Sequence, residues 1–198
     1  MKKIILASQS PRRRELLKEI CHGFDSLSPG YDEKIDTDVF SEKIIENIAL
    51  NKALSLAKSV PEDSLILSAD TVVVLDGKIL GKPEDKDDAL RMLKDLSGKT
   101  HRVVTSVSIF DVKTQKHTTR STTSFVTFSD LTEEQIKNYI ETKNPLDKAG
   151  SYGIQELEEG FVTEVKGSFT NIVGLPLETV KEMLEPFLTA ENGLEQGI

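Results

Sequence analysis

Ser8, Ser10, Arg12 and Arg13 fall within one stretch, SQSPRRR, that joins an apolar run to an amphipathic one. Backbone N–H groups and hydroxyls at such a turn can meet an anion where a helix begins. Arginines beside them can grip phosphate oxygens through the two-pronged guanidinium. Ser10 is a natural N-cap and Pro11 suits the first helical position. Arg12, Arg13 and Arg14 then fill a first turn whose partial positive charge favours acids. A solvated basic helix end would account for the same charge run. A local rule broken without visible compensation favours a phosphate site. The G-x-x-x-x-G-K pattern of a Walker loop is absent.

Asp70 is the second anomaly. It stands inside SLILSADTVVVLDG, a run of apolar and β-branched residues where a strand core would take no charge. An ionised carboxylate there needs a partner, a metal or a function. It could cap or pair at a strand end, act as general base on water, or ligate a divalent metal. Lys52, Lys82 in GKP and Lys148 in PLDKAGSYGIQ matter by context, although a lysine is ordinarily a solvated surface residue. Glu33 in GYDEKI reads as an exposed acid or as a metal ligand facing phosphate. In KAGSYGIQ, small residues beside Tyr152 permit close backbone approach. The Gln155 amide there can donate and accept toward a base edge.

These residues need elements to hold them. Ile4–Ala7 reads as a buried strand, and a helix follows the arginines to Ile20. Phe24–Ile35 is turn-rich. A helical stripe runs from Ser41 to Lys58, then a strand from Leu65 to Leu75. Asp76-Gly77 turns the chain back through Lys78–Leu80. Asp85–Leu96 is an amphipathic helix closed by Gly98. Arg102–Val112 and Thr122–Phe128 alternate as a hairpin pair. Thr132 and Gln135 form a capping box, with Leu131 as a staple, for a helix ending before Asn144-Pro145. Phe161–Val165 is a strand, and Leu177–Leu184 a last helix. The class is α/β with a mixed sheet.

The chain has 198 residues and a formal charge of −8. It is expected to form one domain over 1–198, with a polar tail from about 188. An acidic chain without a basic tract argues against nucleic acid as partner, so the arginine cluster suits a small anion. One cysteine, Cys21, allows no intrachain disulfide. No apolar run approaches the roughly 18–20 residues that span a bilayer, and the first run is too short for a signal peptide. No membrane partner and a cytoplasmic location are therefore expected.

LASQSPRRRELL, SADTVVVLDGKILGKP, LSGKTHRVVTSVSI, PLDKAGSYGIQ and GSFTNIVGLPLETV stand in the order of the Maf family of nucleoside triphosphate pyrophosphatases, which this chain resembles over nearly its whole length. The resemblance implies an elongated mixed β-sheet with flanking helices, in two lobes around a nucleotide cleft, as in ITPase-like proteins. It implies hydrolysis of the α–β phosphoanhydride with a divalent cation, Mg²⁺ or Mn²⁺, and a homodimer. Asp70 matches the family's proton acceptor. Arg12, Thr71 and Gln155 match the branch acting on dTTP and UTP; the branch acting on 7-methyl-GTP resembles SPWR, SDQ and a Glu instead. Ser8, Ser10, Arg13, Lys52 and Lys82 would hold phosphate, and Glu33 and Asp70 the metal. A regulator of septum formation without turnover and a pyrophosphatase for non-standard purine nucleotides are the alternatives. Glu156 departs from the family's Gly after GIQ, and Phe169 and Thr170 from its Tyr and Ser.

Overall fold

The computed structural model describes residues 2–31, 35, 37 and 39–189. Its strands are β1 (Lys3–Ala7), β2 (Phe24–Leu27), β3 (Ser64–Leu75), β4 (Lys78–Leu80), β5 (Thr100–Asp111), β6 (Lys116–Phe128) and β7 (Val162–Lys166). The helices are α1 (Pro11–Lys18), α2 (Glu42–Leu56), α3 (Lys86–Leu96), α4 (Glu133–Thr142), α5 (Phe169–Val173) and α6 (Leu177–Thr189). One sheet runs β2-β1-β3-β5-β6-β7, with β4 against β3. β1 is parallel to β2 and β3, and the remaining pairs are antiparallel, so the sheet is mixed as expected.

The period-two alternation of β3 decides which helices cover it. Leu65, Leu67 and Ala69 pack with Leu16, Leu17, Val180 and Leu184 of α1 and α6. Further along the same face, Val73 and Leu75 pack with Leu93, Ile136 and Tyr139 of α3 and α4. The opposite face belongs to α2, through Ile66 with Ala53 at one end and Val72 and Val74 with Ile45 and Ile48 at the other. Asp70 and Thr71 stand where each face passes from one core to the next.

The edge of β3 breaks at the same place. β1 pairs with it only through Ser68, and β4 begins only at Val73. Ala69–Val72 therefore have no strand on that edge among the described residues. The chain leaves β1 there through Ser8-Gln9-Ser10 into α1, so the opening lies at the carboxyl end of a parallel strand, a usual place for ligands in α/β sheets.

Three expectations change, and one element, α5, is new. Phe24–Leu27 forms β2 within the stretch expected to be turns, because Phe24 packs on the first core while parallel pairing with β1 satisfies its backbone. β6 starts at Lys116, six residues before the expected Thr122: its Thr-rich opening is polar but β-branched, and pairs residue for residue with β5. α5 is a helix of five residues in GSFTNIVG, capped by Ser168. α6 continues past Leu184 and Pro186, with Phe187 on the first core. The tail expected from about 188 lies outside the described residues beyond Thr189. Among the described residues, no helix is long and apolar enough to cross a membrane.

Candidate active site

The turn after β1 is shaped by its own serines. Ser10 N donates to Ser8 Oγ at 3.1 Å, and Arg13 N to Ser10 Oγ at 3.4 Å. Both hydroxyls act as acceptors in the loop, and toward the described residues neither donates its hydrogen, which leaves it to a ligand. Arg13 then reaches across the first core: its Nε donates to Gly174 O at 2.8 Å and its Nη2 to Thr71 Oγ1 at 3.0 Å. Thr71 Oγ1 also shares a 2.9 Å hydrogen bond with Thr105 Oγ1, which reaches the Asn171 carbonyl at 3.0 Å. Arg12 Nη1 lies 3.5 Å from Asp147 Oδ2. Arg12 and Arg13 are thus compensated from distant segments, which corrects the expectation that nothing visible offsets them. Arg14 is half-buried and does not line the cleft described below.

Asp70 meets Lys52 from α2, with Nζ 2.6 Å from Oδ1 and the two side chains only 9% and 3% exposed. Lys52 also donates to Ala69 O at 3.4 Å. Each charge offsets the burial of the other, which answers what an acid does inside an apolar strand. Lys52, expected to hold phosphate, is placed first as the counter-ion of Asp70.

The third group lies on the loop from Asn144 to Leu157, which contains two 3₁₀ turns, Ala149–Ser151 and Ile154–Glu156. Lys148 is buried there, against the expectation for a lysine. Asp147 feels opposing influences. Burial raises its pKa, but the hydrogen bond and charge of Lys148, with the charge of Arg12, hold it below the usual 3.8. Behind the loop, Tyr152 Oη lies 2.6 Å from His101 Nε2, and both rings stack edge-on with Phe128. Burial pushes the His101 pKa down to about 4, so the ring is neutral.

These groups share one cleft of about 790 Å³. Ser8, Ser10, Arg12, Arg13, Lys52, Asp70, Thr71, Lys82 and Gln155 all line it. Lys82 and Gln155 are exposed on it. Glu33 lies outside the described residues. Sequence reasoning passed over Asp147, Thr105 and Asn171.

The family described as Maf-like protein matches residues 3–187. The chain is 45% identical, over 92% of its own length and 98% of the relative's, to the dTTP/UTP pyrophosphatase of Clostridium botulinum (strain Eklund 17B / Type B). It is 44% identical to that of Alkaliphilus oremlandii (strain OhILAs), over 89% of this chain and 92% of the relative. Among solved structures, the Staphylococcus aureus Ham1 protein aligns with a TM-score of 0.48 at 16% identity, over 65% of this chain and 73% of that one. With the family match running from β1 to Phe187 and relatives aligned almost end to end, the chain belongs to the Maf-like proteins.

Proposed function

We propose that this protein is a nucleoside triphosphate pyrophosphatase that hydrolyses dTTP and UTP to the monophosphate and pyrophosphate. The observation that carries the reading is the sharing of one cleft by three groups: the Ser8–Arg13 turn, the buried Lys52–Asp70 pair and the Gln155 loop. Relatives that align over nearly their whole length bear the same activity in their names.

Asp70 is the proton acceptor. A water oxygen bonds to phosphorus as the α–β bridging P–O bond breaks, and the water proton passes to the Asp70 carboxylate. Lys52 fixes that carboxylate through Oδ1. Arg12, Arg13 and Lys82, with the Ser8 and Ser10 hydroxyls, hold the phosphates and offset charge gathering on the leaving pyrophosphate. Gln155 faces O4 and N3–H of the base, an edge that uracil and thymine share, and Arg12 and Thr71 complete the selection.

The donors suit a divalent cation arriving with the substrate. Mg²⁺ is commonly held by one or two carboxylates with phosphate oxygens completing its shell, and Asp70 supplies one carboxylate on the cleft. Glu33 is the proposed second. Such an ion supplies positive charge to the phosphate oxygens. The same reading has the protein in the cytoplasm as a homodimer, with neither nucleic acid nor membrane as partner; its net charge of −8 suits that choice.

The test is pyrophosphate release by the pure protein with Mg²⁺ or Mn²⁺ from dTTP, UTP, 7-methyl-GTP and ITP. Steady turnover fastest with dTTP and UTP is expected. Absence of turnover, or preference for either purine nucleotide, overturns the reading.

A further inference from the structure

The loop that carries Gln155 rests on Lys148 at both of its ends. The Lys148 ammonium is held by three oxygens: Asn144 O at 2.5 Å, Asp147 Oδ1 at 2.8 Å and Glu156 Oε2 at 3.2 Å. Its stem runs beneath Gly153. A Cβ added at Gly153 would stand 2.9 Å from Lys148 Cε and 3.1 Å from Cδ, so a larger residue there would have to displace the lysine stem. Glu156 N closes the 3₁₀ turn onto Gly153 O at 2.8 Å, and Gly153 N is tied to Tyr139 Oη at 3.1 Å. Gln155 therefore sits in a turn whose first residue packs on the lysine stem and whose last pairs with its charge. The second oxygen of Asp147 faces Arg12 at 3.5 Å. A continuous chain, Arg12–Asp147–Lys148–Glu156, thus joins the arginine after β1 to the turn bearing Gln155.

We propose that Lys148 and Glu156 are positioning residues that clamp the Gln155 turn and, through Asp147, couple it to Arg12, so that base selection is set by the clamp as well as by Gln155. The inference rests on the pyrophosphatase reading only for its substrates. Lys148 is a positioning residue and not a phosphate ligand, since it is 5% exposed and three protein oxygens already surround its ammonium. Glu156 Oε2, 3.2 Å from the Lys148 ammonium, pins the last residue of the turn to it. A side chain without charge there would leave Gln155 on a looser hinge.

Lys148→Met keeps an apolar stem under Gly153 and removes the ammonium. Glu156→Gln keeps the shape and removes the charge. Each should lower the ratio of kcat/KM for UTP over CTP, whose base carries an amine in place of O4, by on the order of tenfold. The loss should fall on KM more than on kcat. In a Gln155→Ala background, Lys148→Met should change that ratio much less than in the wild type, because most of the clamp's effect passes through Gln155. A structural role alone would lower the melting temperature of both variants and spare the ratio. Hydrogen exchange at the Gly153 and Glu156 amides gives a readout without turnover, and should be faster in Lys148→Met. If the wild-type protein turns over UTP while both variants keep its UTP/CTP ratio, or if the Lys148 and Gln155 effects add in full, the clamp is overturned and the activity stands. If the wild-type protein turns over nothing, unchanged exchange in Lys148→Met still overturns the clamp.

Discussion

The floor and the rim of the cleft use the same contact, an ammonium on a carboxylate, in opposite surroundings. On the floor, Lys52 and Asp70 come from α2 and the middle of β3, with side chains 3% and 9% exposed. At the rim, Lys148 is buried, but its partners Asp147 and Glu156 are 53% and 34% exposed on a loop. Taking two charges out of water costs several kcal/mol per ion unless each compensates the other, so removing either floor partner strands a buried charge. An exposed pair is worth about 0–1 kcal/mol and weakens with salt. A floor of this kind keeps reacting groups in fixed register. At the rim the carboxylates keep contact with water, so only the buried Lys148 depends on the pairing for its charge.

The sharpest way to break the floor is Asp70→Asn. Turnover should fall by on the order of 10²–10⁴, the usual worth of a general base, while nucleotide affinity is kept or rises. Because Lys52 loses its counter-ion, the variant should also lose roughly 3–5 kcal/mol of stability. Adding Lys52→Met should restore much of the stability but none of the turnover. The deciding quantity is thus kcat per folded molecule. Wild-type kcat in folded Asp70→Asn would remove Asp70 from the chemistry.

Arg13 joins the two regions. It is bonded to Thr71, next to the floor acid, and to the Gly174 carbonyl. Arg13→Ala should raise KM for UTP and lower kcat/KM by roughly 10–100-fold, the loss of one or two charge-assisted hydrogen bonds. Arg13→Lys should recover little, since one ammonium cannot reproduce a planar fork with separate donors to two oxygens. Recovery to near wild type would mean that charge alone matters there.

On the floor Asp70 was legible from its residue type but its pairing with Lys52, expected on phosphate, was not; on the rim Gln155 was legible and its support by Lys148 and Glu156 was not. Asp70 within an apolar run breaks a strong local rule, and Ser10-Pro11 announces a helix start, so both stand out one residue at a time. The burial of Lys148 follows from Gly153 and Glu156 lying over it, and nothing in DKAG itself indicates that. The contacts of Arg13 likewise join segments 58 and 161 residues apart. β2 was hidden because FDSL holds little apolar surface and is made a strand by its neighbour. The Thr-rich start of β6 was hidden by its polarity in the same way.

Gln155→Glu tests the rim directly. A carboxylate has no hydrogen to give O4, and an unpaired base edge costs about 1–3 kcal/mol, or roughly 5–150-fold in kcat/KM for dTTP and UTP. Gln155 is exposed, so the melting temperature should stay within a degree or two of wild type. Intact turnover of both nucleotides would show that Gln155 does not read the base.

The smallest effect concerns what supports the rim from inside. His101 and Tyr152 form a buried pair behind the loop, with the ring pKa pushed down to about 4 from 6.5 by burial. Above pH 6.5 the imidazole is neutral in both folded and unfolded chains and contributes no pH dependence. As pH falls from 6.5 toward 4, the unfolded chain takes up a proton that the folded chain refuses, so stability falls by about 1.4 kcal/mol per pH unit. Over the whole window the loss is roughly 3 kcal/mol. His101→Gln can still reach the Tyr152 hydroxyl but does not titrate. Urea unfolding at pH 7 and pH 4.5 should therefore show the wild type losing about 2–3 kcal/mol more than the variant across that interval. Asp147, held below its usual 3.8, loses its contribution only at lower pH and leaves the window clear. Equal losses in the two proteins would mean that His101 takes up its proton in the folded state, and that the inner face of the rim is wetter than the Tyr152 contact implies.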